Sequence, residues 1–303
     1  MKCLHPLTLY YRLDPDNKNS PTVAYDAPCG KCVWCQKRKQ QEWVIRMQEE
    51  LKVSDLGLFV TLTYNDENIP TENDLPCVCK RDVQLYLKRL RKSLSPYFTV
   101  RYFLCSEYGM KTFRPHYHAV LFFRLNSQYE WRDSFLSSLY KVVVDKWQQG
   151  FCYVGTCTPQ SISYVAKYVV KPKEYENLPT WILVSRNPGL GINYCLNHEN
   201  IEFHRQNSEE HRYYRNKFGG KQALPRYYVN KLYERPAGRG ETLVSLRRLN
   251  QLAAKAFIDE YSRYIRKPSR RTCTRSEYAR IREEQLRING DLELIKFYKK
   301  CKL

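Results

Sequence analysis

The sequence predicts an α+β fold, an antiparallel sheet flanked by helices, and three observations carry that prediction. "GLFVTLTY", Gly57 to Tyr64, is rich in β-branched and aromatic residues, the composition of a buried strand. "TVRYFLCSEYG" and "HYHAVLFF" read as two more strands joined only by the turn segment "GMKTFRP", which is how a hairpin is written. Around them, in "KRDVQLYLKRLRKSL" and "SYVAKYVVK", the apolar period changes to that of a helix.

The elements follow in order. Residues 1 to 35 read as irregular, rich in Pro, Asp and Asn, and end in "PCGKCVWC". From Gln36 a helix is expected, with Trp43, Val44, Met47 and Leu51 on one apolar face. The Gly57 strand and a polar loop, "NDENIPTENDLP", lead to a second helix with Val83, Leu87, Leu90 and Leu94 on one side and positive charge on the other. After the hairpin, "EWRDSFLSSLYKVVVDKWQQG" makes a helix closing at Gly150. "FCYVGTCT" makes a strand, and "PQSISYVAKYVVK" a helix with Pro159 near its start. Beyond Pro172 the pattern weakens into loops, and from Glu241 a basic helical stretch runs on, broken at Pro268. The expected organisation is an N-terminal arm with a cysteine cluster and helix (1–56), an α+β core (57–175), a loop-rich basic segment (176–240) and a basic helical extension (241–303). There is no internal repeat.

Charge narrows the class of partner. The 303 residues hold 51 Lys and Arg against 31 Asp and Glu, a net +20, together with 25 tyrosines. Such an excess repels itself unless a polyanion is bound, and bases stack on aromatic rings, so nucleic acid is the expected partner. No apolar run approaches the roughly 18 residues of a membrane helix. The first residues, "MKCLHPLTLYYRLDPDNKNS", lack the apolar centre and cleavage site of a signal peptide, and an intracellular location is expected. In a reducing compartment the 12 cysteines read as metal ligands or buried thiols rather than as a disulfide framework.

Three constellations carry chemistry. In "FRPHYHAVLFF" strand alternation puts His116 and His118 on one face and Tyr117 on the other. The preceding strand ends near Glu107, so a hairpin would complete a two-histidine, one-carboxylate set with open positions on a divalent ion for a substrate phosphate. The same residues also fit histidines that merely cover a sheet and a solvated turn glutamate. In "YVAKYVVK", Tyr164 and Tyr168 are four apart on a helix, with Lys167 between and Lys171 beyond. Two potential nucleophiles thus share a face with cations, although packed tyrosines on an amphipathic helix fit too. Cys29, Cys32 and Cys35 form C-x-x-C-x-x-C, one ligand short of a closed zinc site, with Cys3 as the leading fourth ligand and His5 behind it. An iron–sulfur cluster and metal-free thiols are the rival readings.

Taken in order, "FVTLTY", "RPHYHAVLF" and "YVAKYVVK" resemble the three motifs of the HUH endonucleases. With "PCGKCVWC", "QEW", "SEYG" and "PRYY", most of residues 1 to 235 is similar to the replication initiators of microviruses, especially the gokushovirus branch. The resemblance implies an HUH-like central antiparallel sheet. It implies that His116 and His118 bind the metal, magnesium or manganese, with Glu107 as third ligand, and that Tyr164 and Tyr168 are alternating nucleophiles. It further implies nicking of single-stranded origin DNA through a 5′-phosphotyrosine link, rejoining in rolling-circle replication, and work in the cytoplasm of a bacterial host. Lys167 is expected to help stabilise charge, while Thr61 and Thr63 are assigned only a structural role in the sheet. The basic helix around Lys80 to Lys92 and aromatic residues near the site are the expected guides for the strand. No G-x-x-x-x-G-K-[ST] motif is present, so a host helicase as well as a host polymerase is an expected partner. A non-catalytic DNA-binding protein on the same scaffold, or a plasmid or transposon relaxase-like nickase, are the alternatives.

Overall fold

The computed structural model describes residues 3–12, 18, 19, 21–109, 112–130, 132–170, 180–206, 212–216, 218–233 and separate positions between 258 and 288. The chain forms two compact units. One comprises Met1–Arg38, His204–Tyr213 and Val229–Leu303, and the other Lys39–Phe203 and Tyr214–Tyr228.

In the first unit, β1 (Leu7–Arg12) and β2 (Thr22–Ala27) pair as an antiparallel hairpin. This corrects the expectation of an irregular arm. "LTLYYR" and "TVAYDA" are good strand sequences, but the Pro, Asp and Asn residues around them mask the signal. Thr8 opposite Asp26 adds a cross-strand bond, its hydroxyl donating to the carboxylate at 3.1 Å. Near the other end of the chain, residues 275–282 are helical behind a capping box in which Thr274 Oγ1 accepts from Glu277 N and the Glu277 carboxylate accepts from Thr274 N. Most of the basic extension expected from residue 241 lies outside the described residues.

Helix α1 (Val33–Lys52) runs from the first unit into the second. There follow β3 (Leu56–Tyr64), a 3₁₀ turn at Asp66–Asn68, and the two-residue strands β4 (Thr71–Glu72) and β5 (Leu75–Pro76) in the polar loop. Next come α2 (Lys80–Leu94), β6 (Phe98–Tyr108), β7 (Pro115–Leu125), α3 (Ser134–Asp145), β8 (Gly150–Thr156), α4 (Pro159–Lys167) and β9 (Ile182–Val184). The short elements α5 (Asn193–Leu196), α6 (His198–Gln206), β10 (Tyr213–Arg215), β11 (Lys221–Ala223) and α7 (Arg226–Leu232) complete the order. Strands β8, β3, β7, β6 and β9 lie side by side in that order, every pair antiparallel. The edge strand β9 comes from the segment read as loop, because three residues are too few for a periodic signal.

Alternation along the strands divides the sheet into two faces. On one, Leu58, Val60, Leu62, Tyr64, Tyr117 and Ala119 pack with Val83, Leu87, Leu90 and Leu94 of α2 and Leu139 and Val143 of α3. Truncating a fully buried side chain here, such as Leu90→Ala, costs about 2–5 kcal/mol. On the other, Phe103, Cys105, Val120 and Phe122 pack with Val44 and Met47 of α1 and Ile162, Val165 and Ala166 of α4. Basic α2 therefore covers the face away from His116 and His118, which corrects the expectation that it guides a strand to them. Gly150 opens β8 at φ +150°, and a Cβ there would meet the Asn65 backbone nitrogen at 2.2 Å. Only glycine lets β8 begin so close to the end of β3.

Candidate metal centre and paired tyrosines

Sheet register assembles the centre. Glu107 on β6 lies directly opposite His116 on β7, and His118 lies opposite Thr61 on β3. Glu107 Oε2 is 3.0 Å from both His116 Nε2 and His118 Nε2, and each residue offers a ligand atom within 4.8 Å of the others. Tyr117 points the other way, fully buried, and anchors the strand by bonding Tyr64 Oη at 2.9 Å and accepting from Cys79 N at 2.7 Å.

The outward nitrogens fix how the rings present themselves. His116 Nδ1 is 3.1 Å from the carbonyl oxygen of Arg114, which can only accept, so Nδ1 carries hydrogen and Nε2 holds the lone pair of the neutral ring. His118 Nδ1 is 3.1 Å from Thr61 Oγ1, whose hydroxyl can accept in the same way. Thr61 therefore touches the site, a role that composition hides because threonine is ordinary in strands. Two imidazole lone pairs and one carboxylate on a nearly buried patch (Glu107 9% and His118 6% exposed) are a donor set that fits a divalent ion.

Helix α4 brings the tyrosines to this patch. It starts at a capping box in which Thr158 Oγ1 accepts from Ser161 N and Ser161 Oγ accepts from Thr158 N, with Pro159 in the first turn. Tyr168 caps its end in helical geometry, so the four-residue spacing still aligns the phenols. Tyr168 stacks on the His118 ring at 4.9 Å and its hydroxyl donates to Tyr164 Oη at 2.6 Å. Burial first, then the Tyr164 hydroxyl and the Glu107 carboxylate, holds the Tyr168 phenol well above its usual pKa. Tyr164 packs edge-on against His118 and is 37% exposed, with Lys167 Nζ 5.4 Å from its ring centre. Lys171 lies outside the described residues.

Two cross-strand rows extend the site to the sheet edge. One reads Glu107, His116, Thr63, Phe151, and the next Cys105, His118, Thr61, Tyr153. Phe151 and Tyr153, on edge strand β8, are 68% and 65% exposed and share the face of the histidines. A cleft lined by Phe59, Thr61, His118, Tyr153, Tyr164 and Lys167 joins them to the tyrosines.

The cysteine cluster also assembles. Cys3, Cys29, Cys32 and Cys35 each place Sγ within 4.8 Å of the others, and Cys3, not His5, is the fourth member. Burial opposes ionisation of Cys29, but the N–H groups of Cys32 and Lys31 outweigh it and lower the thiol to about 6. Burial and the neighbouring Cys3 and Cys32 sulfurs push Cys35 up to about 12.

Fold and site together define an α+β protein with a two-histidine, one-carboxylate centre on an antiparallel sheet and paired tyrosines over it. Residues 57–173 match the family of the replication-associated protein ORF2. The chain is 30% identical to the replication-associated protein ORF2 of Spiroplasma virus 4 over 229 residues, 65% of this chain and 70% of the relative. It is 31% identical to the replication-associated protein VP4 of Bdellovibrio phage phiMH2K over 58% of this chain and 60% of that protein. It is 24% identical to ORF4 of Chlamydia phage 1, also a replication-associated protein, over 49% of this chain and 39% of that one. No solved structure matches significantly. The chain belongs to this family of replication-associated proteins and is a microvirus-like replication initiator. Among the described residues no helix is long and apolar enough to cross a membrane.

Proposed function

We propose that the protein nicks single-stranded origin DNA by tyrosine attack and rejoins the strands in rolling-circle replication, as an HUH-type enzyme. The observation that carries this reading is the convergence of His116 Nε2 and His118 Nε2 on Glu107 Oε2, each at 3.0 Å, beneath a pair of hydrogen-bonded tyrosines. Glu107, His116 and His118 would hold magnesium or manganese, which when bound polarises a phosphate oxygen and balances its charge.

Tyr164, exposed and lining the cleft, makes the first attack. Its oxygen bonds to phosphorus as the bond from phosphorus to the 3′ oxygen breaks. The phenol loses its proton to solvent, the 3′ oxygen gains one, and a 5′-phosphotyrosine remains. Tyr168 cuts the regenerated junction later, and the released 3′-hydroxyl then attacks the Tyr164 link to close a circle. Lys167 places positive charge beside the phosphate. Phe151 and Tyr153 stack bases of the approaching strand, a role supported by their exposure on the histidine face. A host helicase and polymerase open and extend the template in the bacterial cytoplasm.

The test is incubation with an origin-containing single strand and manganese or magnesium, followed by denaturing electrophoresis. Wild type yields a covalent protein–DNA adduct, Tyr164→Phe slows the first adduct more than Tyr168→Phe, and the double variant yields none. Absence of adduct from wild type, or its persistence in the double variant, would overturn the mechanism. Strand binding without adduct would favour a non-catalytic DNA-binding protein.

A further inference from the structure

We infer that Cys3, Cys29, Cys32 and Cys35 form a closed structural zinc site that ties the N-terminal segment to the first turn of α1, independent of the Glu107, His116 and His118 centre. Four sulfurs around one tetrahedral zinc, at the usual bond length of about 2.3 Å, stand about 3.8 Å apart. The Cys3 and Cys32 sulfurs are 3.8 Å apart and those of Cys29 and Cys35 4.0 Å, with all four within 4.8 Å of one another. That space admits one ion. It does not admit several irons with their bridging sulfides, and so excludes the multinuclear rival.

The peptide backbone is arranged for anionic sulfur. Cys29 N donates to Cys3 Sγ and Cys32 N to Cys29 Sγ, each at 3.3 Å. The N–H groups of Leu4 and Cys35 lie against the Cys32 sulfur, and that of Gly30 against Cys35. Every sulfur thus has a donor, the outer-shell pattern that orients and stabilises metal thiolates. Gly30 takes φ +75°, which lets the chain turn between Cys29 and Cys32. Four thiolates on a divalent ion leave a net charge of −2. Cys32 and Cys35 flank the positive N-terminal end of the 20-residue α1, and Lys31, Lys37, Arg38 and Lys39 adjoin them in sequence. A single iron would fit the same cage, but zinc binds such ligands more tightly than iron(II) and has no redox chemistry to loosen it.

The experiment uses the full chain purified under reducing conditions without added metal and dialysed against a chelator. About one zinc per chain is expected to remain, and to leave as a mercurial modifies about four thiols. Chain produced with cobalt in place of zinc should show the strong visible absorption of tetrahedral cobalt thiolate. Cys32→Ala should lower retained zinc at least about tenfold while His118→Ala leaves it unchanged. If Cys32→Ala does not fold, thiol-coupled release from wild type decides. Wild type with less than about 0.2 zinc per chain, iron in its place, or zinc lost in His118→Ala and kept in Cys32→Ala, would overturn the assignment.

Discussion

The two ligand clusters are built by opposite routes and suit opposite tasks. Three cysteines come from seven consecutive residues, Cys29 to Cys35, so a turn and the start of a helix bring them together and only Cys3 must arrive from afar. Glu107 and the two histidines sit on different strands, and only the register of β6 against β7 unites them. Four soft sulfurs close a coordination sphere, whereas two nitrogens and one carboxylate leave positions open. A closed sphere holds structure, and an open one can admit substrate. The paired tyrosines lie over the open one.

That contrast can be broken most sharply at the nucleophiles. Replacing Tyr164 and Tyr168 together by Phe should lower adduct formation by at least about 10³-fold with zinc content and melting temperature nearly unchanged. Glu107→Ala or His118→Ala should slow cleavage about 10²-fold or more, read under single-turnover conditions, again with zinc retained. Cys32→Ala should do the reverse. It should lose zinc and melt roughly 5–10 °C lower by calorimetry, while cleaving at near wild-type rate below that temperature.

Smaller effects sharpen the open site further. Thr61→Val removes the hydroxyl against His118 Nδ1 and should weaken metal affinity about tenfold, with activity restored by raising manganese. Phe151→Ala or Tyr153→Ala should weaken single-strand binding by about 1 kcal/mol each in an anisotropy titration, with the rate of cleavage of bound strand little changed. A loss of cleavage rate without loss of affinity would move those rings from the strand path into the chemistry.

Much of this is legible in the sequence. The histidine pair, the tyrosine pair and the Cys29 to Cys35 spacing are local patterns, and period two or 3.6 states which side chains share a face. Val83, Leu87, Leu90 and Leu94 can be read as a buried stripe for the same reason, and all four are buried. Thr61 cannot, because its importance lies in being opposite His118 across a ladder. Nor can β1 and β2, whose pairing depends on each other more than on either sequence.

Residue types and short-range spacing therefore determined the donor sets, the nucleophiles and the expected nucleic-acid partner, since those depend on chemistry and on helix or strand periods. Tertiary structure alone decided that Glu107 meets both imidazoles, that Cys3 completes the sulfur cage, and that basic α2 faces away while Phe151 and Tyr153 flank the site. Those are contacts between segments distant in the chain. Their geometry follows from strand register and from which sheet face each helix buries, and neither is written in any single window of sequence.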